Sequence, residues 1–161
     1  MISLEEARAY VMDACGRRPK ISTKVSEALG LVTAEDVIAR ESLPPFANTA
    51  MDGFAVRSED LQDTHTRLRV VETIAAGHNP QKTIHPGEAS RIMTGAPVPV
   101  GADAIVMVEK TSVDGDWVTV EGSVMPGNHI RPVGDDVAAN DLVFSNGSVL
   151  SAGHLGVLCS L

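Results

Sequence analysis

Aromatic residues are scarce in this chain. One Trp, one Tyr and three Phe amount to 3% of 161 residues, so Val, Ile, Leu, Met and Ala have to fill any interior it builds. Cysteine is scarcer: Cys15 and Cys159 stand near opposite ends without C-x-x-C spacing, which excludes a disulfide scaffold and fits a reducing compartment. Positive charge is also short, with 13 Lys and Arg against 21 Asp and Glu, a formal charge of −8. A field of that sign repels a phosphate backbone, so no nucleic-acid partner is expected, and any small anionic ligand has to be met locally. No stretch approaches ~18 continuous apolar residues, the length a membrane-spanning helix needs. The first 14 residues carry Glu5, Glu6, Arg8 and Asp13 in place of a basic cap on an apolar run. Neither a membrane span nor a signal peptide is expected, and the expected location is cytoplasmic. His65, His78, His85, His129 and His154 are scattered singly, with no zinc-ligand spacing.

What is present is ordinary globular material: 43% apolar and 21% charged residues, enough for one domain or two small lobes. Ser3 followed by Glu6 makes a capping box, and Leu4, Ala7, Tyr10, Val11 and Ala14 recur at helical spacing, which predicts an amphipathic helix over 3–15. Ser26 to Gly30 reads as a short helix stopped by glycine, and Val32 to Ala39 as an extended piece leading into Leu43-Pro44-Pro45. Beyond the prolines the pattern changes to β-rich runs at 68–74, 89–93, 104–109 and 117–121, with Asp114-Gly115 as a hairpin signal joining the last two. Leu142 to Phe144, a turn at Asn146-Gly147, a return through Val149-Leu150 and a helix over 151–160 complete the pattern. Leu155, Val157, Leu158 and Leu161 keep the finish apolar, which reads as a fragment of a longer protein.

Three stretches carry residues suited to chemistry. Leu43 to Val56 crowds rigid, small and polar residues before a strand. It reads either as a stiff linker closed by an Asp52-Gly53 turn, or as a loop that holds the Asp52 carboxylate at a cleft edge while Gly53 lets backbone approach a ligand. Arg91 to Ala104 places Thr94-Gly95 at the end of an apolar strand; this is an ordinary turn with Pro97 and Pro99, or a corner offering a hydroxyl and a free N–H to an oxyanion. Gly127 to Asp136 sets Arg131 and the pair Asp135-Asp136 around a glycine, as a solvated acidic turn or as carboxylates for metal or acid–base work.

In order and wording these stretches resemble the molybdopterin molybdenumtransferase family, the MoeA and gephyrin E-domain proteins of molybdenum cofactor synthesis. The family's P-P-F-D-N-S-A-M-D-G-Y-A-V falls on Pro44 to Val56, its R-I-M-T-G-A-P-x-P-x-G-A-D on Arg91 to Asp103, and its N-I-R-x-x-G-E-D on Asn128 to Asp136. Departures are Ala47 for aspartate, Thr49 for serine, Phe54 for tyrosine, Asp135 for glutamate, and Ala139-Asn140-Asp141 where a glycine turn is common.

The resemblance covers essentially the whole chain and implies an α+β, β-dominated, elongated two-lobe fold. Residues 1–45 with 138–161 would form a mixed lobe and 46–137 an inserted β lobe, with a molybdopterin-binding domain expected to follow Leu161. It implies an enzyme that inserts molybdate into adenylylated molybdopterin, with magnesium-dependent loss of AMP, in a cleft of which this chain forms one wall. Asp52, Thr94 and Asp136 are the implied catalytic residues, expected on one exposed face. Gly53, Gly95 and Arg131 are the implied ligand-binding residues, and no metal ligand is assigned. The implied partners are molybdopterin-AMP, molybdate and a second copy paired through the N-terminal region. A non-catalytic dimerisation and lid module is the alternative, and an independent hydrolase using Asp52 and Asp136 is disfavoured by the lack of a His or Lys cluster beside them.

Overall fold

The structure, a computed structural model, describes residues 2–16 and 18–161. The chain forms two compact units, Met1–Val37 with Phe144–Ser160, and Ile38–Val143 with Leu161.

In the first unit the capping box forms as expected. Glu6 N–H donates to Ser3 Oγ at 3.1 Å and Ser3 N–H donates to Glu6 Oε2 at 2.8 Å, starting helix α1 (Leu4–Ala14). The apolar stripe is present but uncovered, for no residue of α1 is buried. The expected short helix is a single 3₁₀ turn, Val25–Glu27. Val149-Leu150 does not fold back on 142–144 after the Asn146-Gly147 turn. Val149 pairs with Val32 instead, and Leu150 N–H donates to Leu31 O at 2.8 Å. The run from Val32 holds this return through its backbone, with Thr33 N–H donating to Ser148 O at 3.0 Å and Gly147 N–H to Thr33 O at 2.9 Å. Helix α2 (Ala152–Ser160) follows, with Ser151 N–H donating to His154 Nδ1 at 3.0 Å.

The chain crosses between units at strands β1 (Val37–Ile38) and β10 (Leu142–Phe144), so the divide falls at 37/38 and 143/144 instead of at the proline pair. Backbone pairing accounts for this. Ala39 N–H reaches Asp141 O at 2.9 Å and Leu43 N–H reaches Val137 O at 2.7 Å, which zips 38–45 to 136–143 inside the second unit. The Leu43–Pro44 peptide in this segment is cis.

The second unit is built on a six-stranded sheet. Its strands are β3 (Gly53–Val56), β4 (His65–Ile74), β5 (Glu88–Ile92), β6 (Ala104–Met107), β7 (Thr111–Asp114) and β8 (Trp117–Glu121), in the order β6-β3-β5-β4-β8-β7. The pairings are antiparallel except β4–β5, which run parallel across a helix-free connection. Both faces are covered. Phe54, Val56, Leu68, Ala89, Val106 and Val118 belong to one core, and Ala55, Ile74, Ile92 and Ile105 to another. Strand β3 is therefore buried at all four positions, which explains its unbroken Gly-Phe-Ala-Val run. Asp114-Gly115 does turn a hairpin, but it joins β7 to β8; the 104–109 run ends as β6 at Met107, breaks at a 3₁₀ turn, and lies at the opposite edge of the sheet. Short strands β2 (Asn48–Thr49) and β9 (Ile130–Arg131) pair with each other beside this sheet. Among the described residues no helix is long and apolar enough to cross a membrane.

Candidate functional site

The antiparallel register of β3 and β5 sets Gly53 opposite Ile92, and so brings the residues just beyond this pair, Asp52 and the Met93-Thr94 corner, to the same end of the sheet. There Thr94 donates twice to one oxygen: its N–H and its Oγ1 each lie 2.7 Å from Asp52 Oδ1. Two donors stabilise the carboxylate, and with Arg91 nearby they hold Asp52 below the usual carboxylate range. Asp52 Oδ2 has no hydrogen-bond partner among the described residues. The arrangement presents one ionised, exposed oxygen and fixes its direction.

Backbone contacts engage Gly53, Gly95 and the Thr94 donors. A side-chain carbon on Gly53 would lie 2.0 Å from Val106 O, so this glycine makes room for the β6 backbone. Gly95 sits at φ +81° with open space around it, and its N–H donates to Thr49 O at 2.9 Å. The Thr94 N–H and hydroxyl are likewise engaged, on Asp52. The corner thus holds a carboxylate and keeps no free donor for an oxyanion.

Arg131 is the centre of a second cluster. Its Nε donates to Asp135 Oδ2 at 3.2 Å and its Nη2 to Asp136 Oδ1 at 2.5 Å. The two carboxylates, Asp136 foremost, push the guanidinium pKa further up, so it stays cationic. Strand β2 lies between this cluster and the Thr94 corner. Asn48 stands opposite Arg131 in the β2–β9 pair, while Thr49 N–H donates to Ala96 O at 3.1 Å. The structure joins Asp52 directly to Thr94. No hydrogen bond or ion pair among the described residues links Asp136 to either of them.

Sequence reasoning missed two supporting residues. Buried Thr49 donates from Oγ1 to Met51 O at 2.6 Å and accepts Met51 N–H at 3.1 Å, which shapes the approach to Asp52. A Thr two residues before the turn was the available signal. Asp103, at the end of the second motif, takes Ser58 N–H at 2.6 Å and Ser58 Oγ at 2.7 Å, capping the turn after β3. Its role is structural.

Among the described residues no group of three or more His, Cys, Asp or Glu side chains is placed to hold a metal ion. Asp52 offers one free oxygen, and the charge of the Asp135-Asp136 pair is already engaged by Arg131. These residues do not make a magnesium site by themselves.

Fold and site together define a β-dominated region bearing a hydrogen-bonded carboxylate beside an arginine–aspartate cluster. The family model described as MoeA N-terminal region (domain I and II) matches residues 2–161. The chain is 46% identical over 157 residues to molybdopterin molybdenumtransferase 2 of Mycobacterium tuberculosis, covering 95% of this chain and 38% of that protein. It is 36% identical over 163 residues to the molybdopterin molybdenumtransferase of Staphylococcus epidermidis, covering 99% of this chain and 39% of that protein. The crystal structure of the molybdopterin biosynthesis moeA protein from Pyrococcus horikoshii OT3 superposes with a TM-score of 0.84 at 33% identity, over 86% of this chain and 38% of that one. This chain belongs to the MoeA family and corresponds to its N-terminal region. It spans less than two fifths of the length of these relatives.

Proposed function

We propose that this chain works as the N-terminal region of a molybdopterin molybdenumtransferase, an enzyme of molybdenum cofactor biosynthesis that inserts molybdate into adenylylated molybdopterin and releases AMP. Its part is one wall of the cleft, presented by Asp52 and Thr94 with Asp136 in the neighbouring cluster. The observation that carries this reading is the double donation from Thr94 to Asp52 Oδ1, which links two of the motifs shared in wording with the family.

Held ionised, Asp52 is unsuited to be a proton donor near neutral pH. It serves as a fixed acceptor, orienting a water or a ligand hydroxyl through Oδ2 as the phosphoanhydride to AMP breaks. The chain's charge of −8 leaves the balancing cations for the anionic substrates to be supplied from outside this region. No step is assigned to magnesium, for which the described residues offer no ligand set. The test is Asp52→Asn in the complete enzyme. AMP release should fall on the order of 100-fold while molybdopterin-AMP still binds. Unchanged AMP release overturns the assignment.

Pairing with a second copy is favoured by a separate observation. Helix α1 buries none of its residues and exposes Leu4, Tyr10 and Val11, a stripe suited to cover by an equivalent chain. A dimer in light scattering that dissociates in Tyr10→Glu supports this; a strict monomer at high concentration refutes it.

A further inference from the structure

Arg131 invites the role of a cation for an anionic substrate, but its surroundings speak against it. The guanidinium is forked between two carboxylates, so the cluster of Arg131, Asp135 and Asp136 carries a net charge of −1. A cation outweighed by two carboxylates in this way has little attraction left for phosphate or molybdate. The backbone around it is pinned on both sides. Arg131 lies in β9 against Asn48 of β2, a residue only 8% exposed. The turn that carries the aspartates is held by Gly134 N–H on Pro44 O at 3.0 Å and Asp136 N–H on Leu43 O at 2.9 Å, with Gly134 at φ +74°. Asp136 Oδ1 faces Arg131, and Oδ2 has no partner among the described residues.

We propose that Arg131 is a positioning residue, anchored by Asp135, that fixes Asp136 through one oxygen and keeps its other oxygen free for the cleft proposed above. This rests on the function proposed above. Asp135 becomes a functional residue through Arg131, without touching substrate: it takes the Nε donor, and that leaves Nη2 aimed at Asp136. Lysine at 131 would not reproduce the effect, because a point-like ammonium lacks the planar fork that engages both carboxylates in fixed directions.

The complete enzyme carrying Arg131→Lys, Asp135→Asn or Asp135→Glu tests the proposal through steady-state AMP release. Positioning predicts that Arg131→Lys and Asp135→Asn lower kcat on the order of 10-fold, leave KM for molybdopterin-AMP within about twofold, and that Asp135→Glu restores kcat. A rise in KM with kcat intact makes Arg131 a substrate ligand and overturns it, as does an Asp135→Asn enzyme of full activity. A structural readout runs in parallel. In ¹⁵N NMR of this chain the Arg131 Nε–H should exchange slowly, lose that protection in Asp135→Asn and regain it in Asp135→Glu; fast exchange in the unmodified chain refutes the clamp whatever the kinetics. Asp136→Asn separates the two levels. If it leaves AMP release untouched, the site reading fails; if it abolishes AMP release while Arg131→Lys and Asp135→Asn are silent, only the positioning role fails.

Discussion

Thr94 spends both its backbone N–H and its hydroxyl on a single oxygen of Asp52, at 2.7 Å each, across 42 residues of sequence. The contact costs the Thr-Gly corner its freedom to bind an anion and leaves the carboxylate charged and oriented.

Removing that contact should move a titration. Thr94→Val deletes the hydroxyl donor, and the Asp52 pKa rises toward the ordinary carboxylate value. With the folded-state pKa depressed, the ionised form is favoured; the associated stability is present above the unfolded carboxylate pKa and fades as pH falls through the folded one. The variant should therefore begin to lose Asp52 ionisation at a higher pH. A ¹³C-carboxyl NMR titration of both chains checks this, and identical midpoints defeat it.

Gly53→Ala should be among the most damaging small substitutions, because the new methyl lands on the Val106 carbonyl between two buried strands. Overpacking against backbone that cannot move costs about 1–3 kcal/mol or more. Urea unfolding would register a lower midpoint; an unchanged midpoint would mean that β6 yields.

Ser90 offers the opposite sign. Its hydroxyl is fully buried in β5 without a hydrogen-bond partner among the described residues. Ser90→Ala removes an unsatisfied polar group and should be neutral or stabilising by about 1 kcal/mol, read from the same unfolding curves. Clear destabilisation would reveal an unseen partner.

Asp103→Ala strips both acceptors from Ser58 and leaves the turn after β3 uncapped. A loss of about 0.5–2 kcal/mol is expected, with the Asp52 titration unmoved. A shift of that titration would show that the cap also sets the site.

Taken alone, the 161-residue chain should neither bind molybdopterin-AMP appreciably nor release AMP from it, because its surplus of negative charge and an Arg131 already engaged by two carboxylates give an anionic substrate no clamp. Calorimetry and an AMP-release assay decide; robust activity from this chain would overturn the one-wall reading.

The amino-acid sequence determined whatever depends on neighbours a few residues apart. The Ser3–Glu6 box started α1, the β-rich runs became β4, β5, β6 and β8, and the three motifs carried the family. Which segments pair was decided only in three dimensions, since strands specify a face and a length but not a partner. Residues 111–114, not read as a strand in the sequence, took the place beside β8, Val149 went to Val32, and β4 lay parallel to β5. Side-chain roles divided along the same line. That Asp52 and Thr94 stand in stretches worded like the family's was legible from the sequence. Gly53 making room for Val106, Gly95 and Thr94 with their donors already engaged, and Arg131 held as a cation by two aspartates all arise from contacts made by the folded backbone. A sequence names donors and acceptors; only the register of strands distant in the chain decides which of them meet.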